Sequence, residues 1–269
     1  MYKVELSDQD FRQIQTLLYQ IAGISMAPSK KPLVSGRLMK RLRHHHLKSY
    51  SEYCRLLSHD SVELQMAIDL LTTNETYFFR ESKHFDFLRR TVLPDHNTGK
   101  PFRLWSAASS SGEEPYSLAM VLADVLGSKA WEIFASDIST RILERARTGL
   151  YAMERAEKIP REYLLRYCLK GTGTQDGKFM IAKELRSRVQ YRQINLNESL
   201  PDIGRFDVIF LRNVMIYFDM ETKRQVVARI SALLNPGGHL FIGHSESLNG
   251  VTEGMKLVMP SVYRRPLHE

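Results

Sequence analysis

The sequence predicts an α/β fold: an all-helical N-terminal domain, then a domain built on a mostly parallel sheet with helices on both faces. Three observations predict it. Before residue 102 the apolar residues recur only at helical spacing. From Phe102 onward, short apolar runs alternate with helical patterns, the signature of parallel strands joined by helical crossovers. Several of those runs end in small or polar residues, at the edge where open sheets bind ligands.

The elements follow in order. Ser7 with Asp10 resembles a capping box, ahead of Phe11, Ile14, Leu18 and Ile21; Gly23 and Pro28 end that helix. Val34, Leu38 and Leu42 make one face of a second helix apolar, Ser49-Tyr50-Ser51 opens a third, and Val62, Met66, Ile68 and Leu70-Leu71 mark a fourth. The sheet domain then reads as strand Phe102–Ala108, helix Pro115–Leu126, strand Trp131–Ser136 and helix Ser139–Gly149. Between residues 171 and 191 two glycine-rich turns flank Phe179–Ala182, which predicts a small β insertion. Strands Val189–Ile194 and Phe206–Leu211 follow, then helix Met220–Leu234, a stop at Asn235-Pro236-Gly237-Gly238 and strand His239–Gly243.

Composition bounds the function. The 269 residues are 43% hydrophobic and 25% charged, as in a globular protein with a proper core. No apolar run reaches the ~18–20 residues that span a bilayer, and Met1-Tyr2-Lys3-Val4-Glu5 leads into polar residues rather than a leader core. Cys54 and Cys168 are the only cysteines, too few for a disulfide framework or a cysteine zinc site, so a cytoplasmic location is expected.

The formal net charge is +8. No acid occurs between Asp10 and Glu52, where Arg12, Lys30, Lys31, Arg37, Lys40, Arg41, Arg43 and Lys48 lie. Arg37, Arg41, His44 and Lys48 share a helical face apart from the apolar one. A solvated charged face is the ordinary account of such a run; with no acid interleaved, a docking face for an acidic partner is favoured. His44, His45 and His46 point about 100° apart on a helix and cannot converge on one metal ion.

Three segments fall at the carboxyl edge of the sheet. Ala108-Ser109-Ser110-Ser111-Gly112-Glu113-Glu114-Pro115 lets a backbone approach a ligand, but it lacks the spacing of a dinucleotide fingerprint, and its two carboxylates repel a pyrophosphate. Asp137 ends the second strand, where an acid accepts hydrogen bonds from ribose hydroxyls; its structural alternative is a helix cap. Arg212 and Asn213 follow Val208–Leu211 directly. Together these point to a nucleoside that is not a polyphosphate.

With Asn74-Glu75-Thr76-Tyr77-Phe78-Phe79-Arg80, Ser111-Gly112-Glu113-Glu114-Pro115-Tyr116-Ser117, Ala135-Ser136-Asp137-Ile138 and Arg212-Asn213-Val214-Met215-Ile216-Tyr217-Phe218, the chain resembles the CheR family. These are bacterial chemotaxis receptor (glutamate) O-methyltransferases that use S-adenosylmethionine. The similarity extends through Gly171-Thr172-Gly173 and Gly243-His244-Ser245-Glu246. Ser109-Ser110-Ser111 stands where the family more often has Ala-Ser-Thr, a conservative departure.

The resemblance implies a helical receptor-docking domain over residues 1–72, a linker at 73–95 contributing to the cofactor site, and a Rossmann-like domain over 96–269 with a β subdomain at 171–191. It implies cofactor contacts from Asn74, Thr76, Arg80, Glu114, Asp137, Asn195, Leu196, Arg212 and Asn213, and importance for activity at Arg80, Asp137 and Tyr217. The basic helix, with Arg37, Lys40, Arg41, His44 and Lys48, matches the part proposed to dock on the methylation helices of chemotaxis receptors. In some members the β subdomain docks a short peptide at the receptor's C-terminus.

The chemistry suits these groups. A glutamate side chain, with an ordinary pKa of about 4.3, is already anionic at neutral pH and needs no general base. An anion attacking a sulfonium methyl loses charge toward the transition state, so a dry, aligned pocket favours it; S-adenosylhomocysteine is the other product. Arg80 is expected on the cofactor's carboxylate or the non-attacking oxygen, because pairing with the attacking one would blunt it. Tyr217 is expected near the transfer point. Two other readings compete. A nucleic-acid methyltransferase lacks support, since Arg212-Asn213-Val214-Met215 has no proline and the basic segment has no interleaved exposed aromatics. A non-enzymatic receptor-binding module is disfavoured by the complete set Arg80, Asp137 and Tyr217. No nucleic-acid partner, membrane insertion or metal is expected.

Overall fold

The computed structural model describes residues 4–96 and 99–267; Met1–Lys3, on which part of the reading of the N-terminus rests, and the last two residues of the expected sheet domain lie outside them. The N-terminal helices are α1 (Asp8–Ala22), α2 (Lys31–His44), α3 (Tyr50–Leu57) and α4 (Ser61–Leu71). Side-chain oxygens of Ser7, Ser49 and Asp60 accept first-turn amides of α1, α3 and α4. Gly23, at φ +69, closes α1 in the left-handed region and donates its amide to the Tyr19 carbonyl. Phe11, Ile14 and Leu18 meet Val34, Leu38, Leu42, Tyr50 and Tyr53 in one core.

A linker with left-handed Phe79 and Glu81 leads to α5 (Lys83–Phe87), a π turn over Leu88–Val92 and α6 (Leu93–Asp95). The sheet domain runs β1 (Phe102–Ser106), α7 (Glu113–Leu126), β2 (Trp131–Asp137), α8 (Thr140–Thr148), β3 (Leu150–Ala152), α9 (Arg161–Tyr167), β4 (Cys168–Lys170), β5 (Lys178–Ile181), α10 (Lys183–Arg186), β6 (Val189–Gln193), β7 (Phe206–Leu211), α11 (Met220–Ala232), β8 (Leu234–Ile242), β9 (Lys256–Met259) and β10 (Val262–Arg264). The main sheet is ordered β6-β2-β1-β7-β8-β10-β9. Its first five strands are parallel, and β10 is antiparallel to both neighbours. The architecture is Rossmann-like. Both faces are buried: Leu104, Ile133, Val208 and Phe210 pack on one side, Trp105, Phe134, Ile209 and Leu211 on the other. The chain order reverses between β1 and β7, which makes their carboxyl ends the natural ligand crevice.

Two expectations need correction. The small antiparallel sheet, β3-β5-β4, spans residues 150–181 rather than 171–191. Two of its strands are only three residues long, too short to show alternation, and Val189–Gln193 is an edge of the main sheet. Strand β8 begins at Leu234, so Asn235-Pro236-Gly237-Gly238 lies within it as an irregularity facing Phe206–Val208. The C-terminal strands β9 and β10 were not foreseen; β9 is largely exposed and lacks a buried run.

The two domains share a polar seam. Asp69 of α4 accepts from the amide and hydroxyl of Thr140 at the start of α8, at 3.1 and 3.0 Å. Asn195 and Asn197 donate to the Ile21 carbonyl at the end of α1, at 2.7 and 3.3 Å. Tyr19 donates to Asp219, the cap of α11, at 2.7 Å.

Candidate active site

The turn after β1 is tight because its residues allow it. Ser110 is left-handed at φ +48 and Gly112 at φ +95, and a Cβ on Gly112 would sit 2.7 Å from the Tyr151 hydroxyl. Tyr151 donates to the Ser111 carbonyl at 2.7 Å, which holds the turn from behind. Glu114, in the first turn of α7, accepts from the Ser106 hydroxyl at 2.7 Å and lies 3.5 Å from the Arg212 guanidinium. Burial pushes its carboxyl up, and Arg212 opposes the shift.

Asp137 ends β2 beside this turn. One carboxylate oxygen accepts the Ser110 amide at 2.9 Å, the other the Ser139 amide at 3.0 Å. Burial outweighs both and pushes its pKa up to about 6. The cap of α8 is Ser139, whose hydroxyl accepts the Ile142 amide. The structural alternative for Asp137 therefore falls to its neighbour.

The linker and the loop after β7 face each other. The Asn74 carbonyl accepts from Ser110 at 3.1 Å, and the Thr76 carbonyl from Arg155 at 2.8 Å. Arg80 donates to the Glu75 carbonyl at 2.8 Å, and its own carbonyl accepts from Arg212. Arg212 is buried, and its guanidinium is 3.5 Å from Glu81 as well as from Glu114.

These segments enclose a cavity of about 420 Å³, within the range of small-molecule sites. Asn74, Thr76, Arg80, Glu114, Asp137, Asn195, Leu196, Arg212, Asn213 and Tyr217 all line it. Its walls include Ile138, Ile194, Leu196, Val214 and Phe218, an apolar slot for a flat ring. Its carboxylates are Glu75, Glu114 and Asp137, its cations Lys30, Arg80 and Arg212, the last committed to two glutamates. That balance suits a neutral or cationic nucleoside better than a polyphosphate.

Sequence reasoning missed the roof. Ala22, Ile24, Ser25, Met26, Ala27 and Lys30 of the helical domain line the cavity from above. Ile24 forms an antiparallel bridge with Phe218, and the Ser25 amide donates to the Tyr217 carbonyl at 2.8 Å. These are mostly small or apolar residues without a chemical signature; only the break at Gly23 hinted that the chain turns there. Glu81 was also missed: it accepts from the Asn213 side chain and the His244 amide, both at 3.2 Å. With His84 and His244 it places three ligand-type atoms within 4.8 Å of one another, but the Arg212 guanidinium beside Glu81 opposes a cation there.

The docking face divides. Arg37 donates to the carbonyls of Leu70, Leu71 and Thr72 at the end of α4. Arg41 pairs with buried Glu63, which also accepts from Tyr53 at 2.7 Å. These two arginines are spent inside the domain because α4 ends and begins against them, a contact that no helical wheel of α2 reveals. Lys40, His44 and Lys48 are exposed.

A family model described as CheR methyltransferase, SAM binding domain matches residues 74–263, and one described as CheR methyltransferase, all-alpha domain matches residues 9–72. The chain is similar to chemotaxis protein methyltransferase 2 of Pseudomonas aeruginosa, 45% identical over 258 residues covering 95% of this chain and 92% of that one. It is 43% identical to the chemotaxis protein methyltransferase of Escherichia coli over 97% of this chain and 92% of that one. Against the chemotaxis protein methyltransferase of Salmonella typhimurium, the identity is 42%, over 97% and 91%.

Proposed function

The chain belongs to the CheR methyltransferase family, and we propose that it methylates glutamate side chains in the cytoplasmic domains of chemoreceptors. It is an S-adenosylmethionine-dependent methyltransferase of the chemotaxis kind. The proposed products are glutamate 5-O-methyl esters and S-adenosylhomocysteine.

The donor set fits the cofactor. Asp137 offers a carboxylate for ribose hydroxyls, Ile138 and Leu196 an apolar wall for the adenine, and Glu114 a negative group compatible with a sulfonium. Arg80 is the linker cation assigned to the amino-acid carboxylate; Arg212 is held by Glu81 and Glu114, and Lys30 lines the cavity from the helical domain. When bound, S-adenosylmethionine supplies an electrophilic methyl group.

The observation that carries the glutamate reading is that two of the site's three acids, Asp137 and Glu114, are occupied, and the third, Glu75, is exposed. Asp137 holds two backbone amides, and Glu114 holds Ser106 and faces Arg212. Among the described lining residues there is no histidine or cysteine. The site therefore orients an acceptor that is already a nucleophile at neutral pH, and a carboxylate is one. Tyr217, half-buried beside the roof, is the hydroxyl assigned to orienting that acceptor. Lys40 and His44, exposed on α2, and Lys48, exposed in the connection that follows it because the helix ends at His44, are assigned to docking an acidic receptor helix.

Labelled methyl transfer to purified receptor cytoplasmic fragments, followed by mild alkali, tests this. Label that leaves the receptor as methanol is the expected result for a carboxyl ester. Alkali-stable label would mean nitrogen or carbon methylation and would overturn the glutamate assignment.

A further inference from the structure

The motif Gly243-His244-Ser245-Glu246 lies outside the cavity lining, yet its glutamate reaches the loop that carries Arg212, Asn213 and Tyr217. One carboxylate oxygen of Glu246 accepts the Asn213 amide at 2.9 Å and the Gly243 amide at 2.6 Å. The amides of Met215 and Ile216 also favour its charged form against burial. A single carboxylate oxygen thus ties the Gly243 and Asn213 amides together just ahead of the turn Met215–Tyr217, which has no side-chain cap of its own, while its other oxygen is buried without a hydrogen-bond partner.

Asn213 needs this hold. It sits at φ +56, in the left-handed region that asparagine enters more readily than other L side chains, beside a cavity it lines. Glu246 grips its backbone while Glu81 grips its side-chain amide at 3.2 Å. The approach is close enough to need glycine: a Cβ on Gly243 would lie 2.5 Å from the Asn213 amide nitrogen Nδ2 and 2.8 Å from Glu246.

We propose that Glu246 is a positioning residue for methyl transfer: its carboxylate, without touching the cavity, fixes the Arg212–Tyr217 loop in the geometry that presents Asn213 and Tyr217 to cofactor and acceptor. The proposal rests on the cavity being the cofactor site, and the wild-type chain tests that separately.

Glu246→Gln, which keeps the shape and one acceptor oxygen, and Glu246→Ala are titrated with S-adenosylhomocysteine by calorimetry on the full chain. A carboxylate that only supports folding lowers the stoichiometry, the fraction of competent protein, and leaves Kd alone. A positioning carboxylate raises Kd at full stoichiometry. We expect at least a ~tenfold rise for Glu246→Ala and a smaller one for Glu246→Gln. In turnover, kcat falls while KM for the receptor fragment holds. Wild-type Kd and kcat in folded Glu246→Gln, or a loss confined to stoichiometry, overturns the proposal; if Glu246→Ala fails to fold, the glutamine variant decides. A wild-type chain that binds no S-adenosylhomocysteine would instead overturn the reading of the cavity.

Discussion

Asp137 shows how one buried carboxylate is set against its own fold. Its folded pKa of about 6 lies above the ordinary 3.8, so the apo protein binds more protons than the unfolded chain between those values. Stability from this group is therefore present below about pH 4 and lost as pH rises through 6, ~3 kcal/mol at most. Ligand hydroxyls favour the ionised form, so the affinity for S-adenosylhomocysteine is expected to fall below pH 6, by up to about tenfold per unit. Asp137→Asn is expected to flatten that dependence and weaken binding at pH 7 by roughly 1.5–3 kcal/mol. Calorimetry from pH 5 to 7.5 reads both, and an unchanged slope in the variant would refute the assignment. The acid was legible in the sequence because it ends an apolar run. Its two amide partners were not, since Ser110 and Ser139 come from separate turns that only the sheet brings together.

Helix α2 shows the limit of reading an element in isolation. Its apolar face was legible: Val34, Leu38 and Leu42 are all buried. Its polar face reads as uniformly available, yet α4 takes Arg37 by its terminal carbonyls and Arg41 by Glu63. Burial raises the Glu63 pKa, but hydrogen bonds from Arg41, Tyr53 and His45 prevail and bring it to about 2. A pKa depressed from 4.5 gives stability that is present above about pH 4.5 and lost as pH falls toward 2. Glu63→Gln is thus expected to cost ~2–4 kcal/mol at pH 7, with the difference shrinking below pH 4; urea midpoints at the two pH values measure it. The caps at Ser7 and Ser49 were equally legible, because capping is local in sequence. The three-residue strands β3 and β4 were not, since their pairing partner β5 supplies what their own residues cannot signal.

At the scale of the molecule, the cavity draws on segments from residue 22 to residue 218, and neither domain encloses it alone. The turn after β1, Asp137 and Arg212-Asn213 were legible from the residues themselves, Asn74, Thr76, Arg80, Asn195 and Leu196 only through the family resemblance, and the roof needed the fold. Lys40 lies on the exposed part of α2. Lys40→Glu is expected to raise KM for an acidic receptor fragment with kcat unchanged, and rising salt should narrow the gap to wild type. Equal KM at low salt would remove α2 as the dock.

The roof residues Ile24–Ala27 are joined to α2 by nothing more than the single turn Pro28–Lys30. On the proposed docking, a partner seated on α2 and a ligand under the roof would pull on one short tether. Whatever factor receptor docking imposes on cofactor affinity, the cofactor must return to receptor affinity in equal measure, because the two equilibria close a thermodynamic cycle.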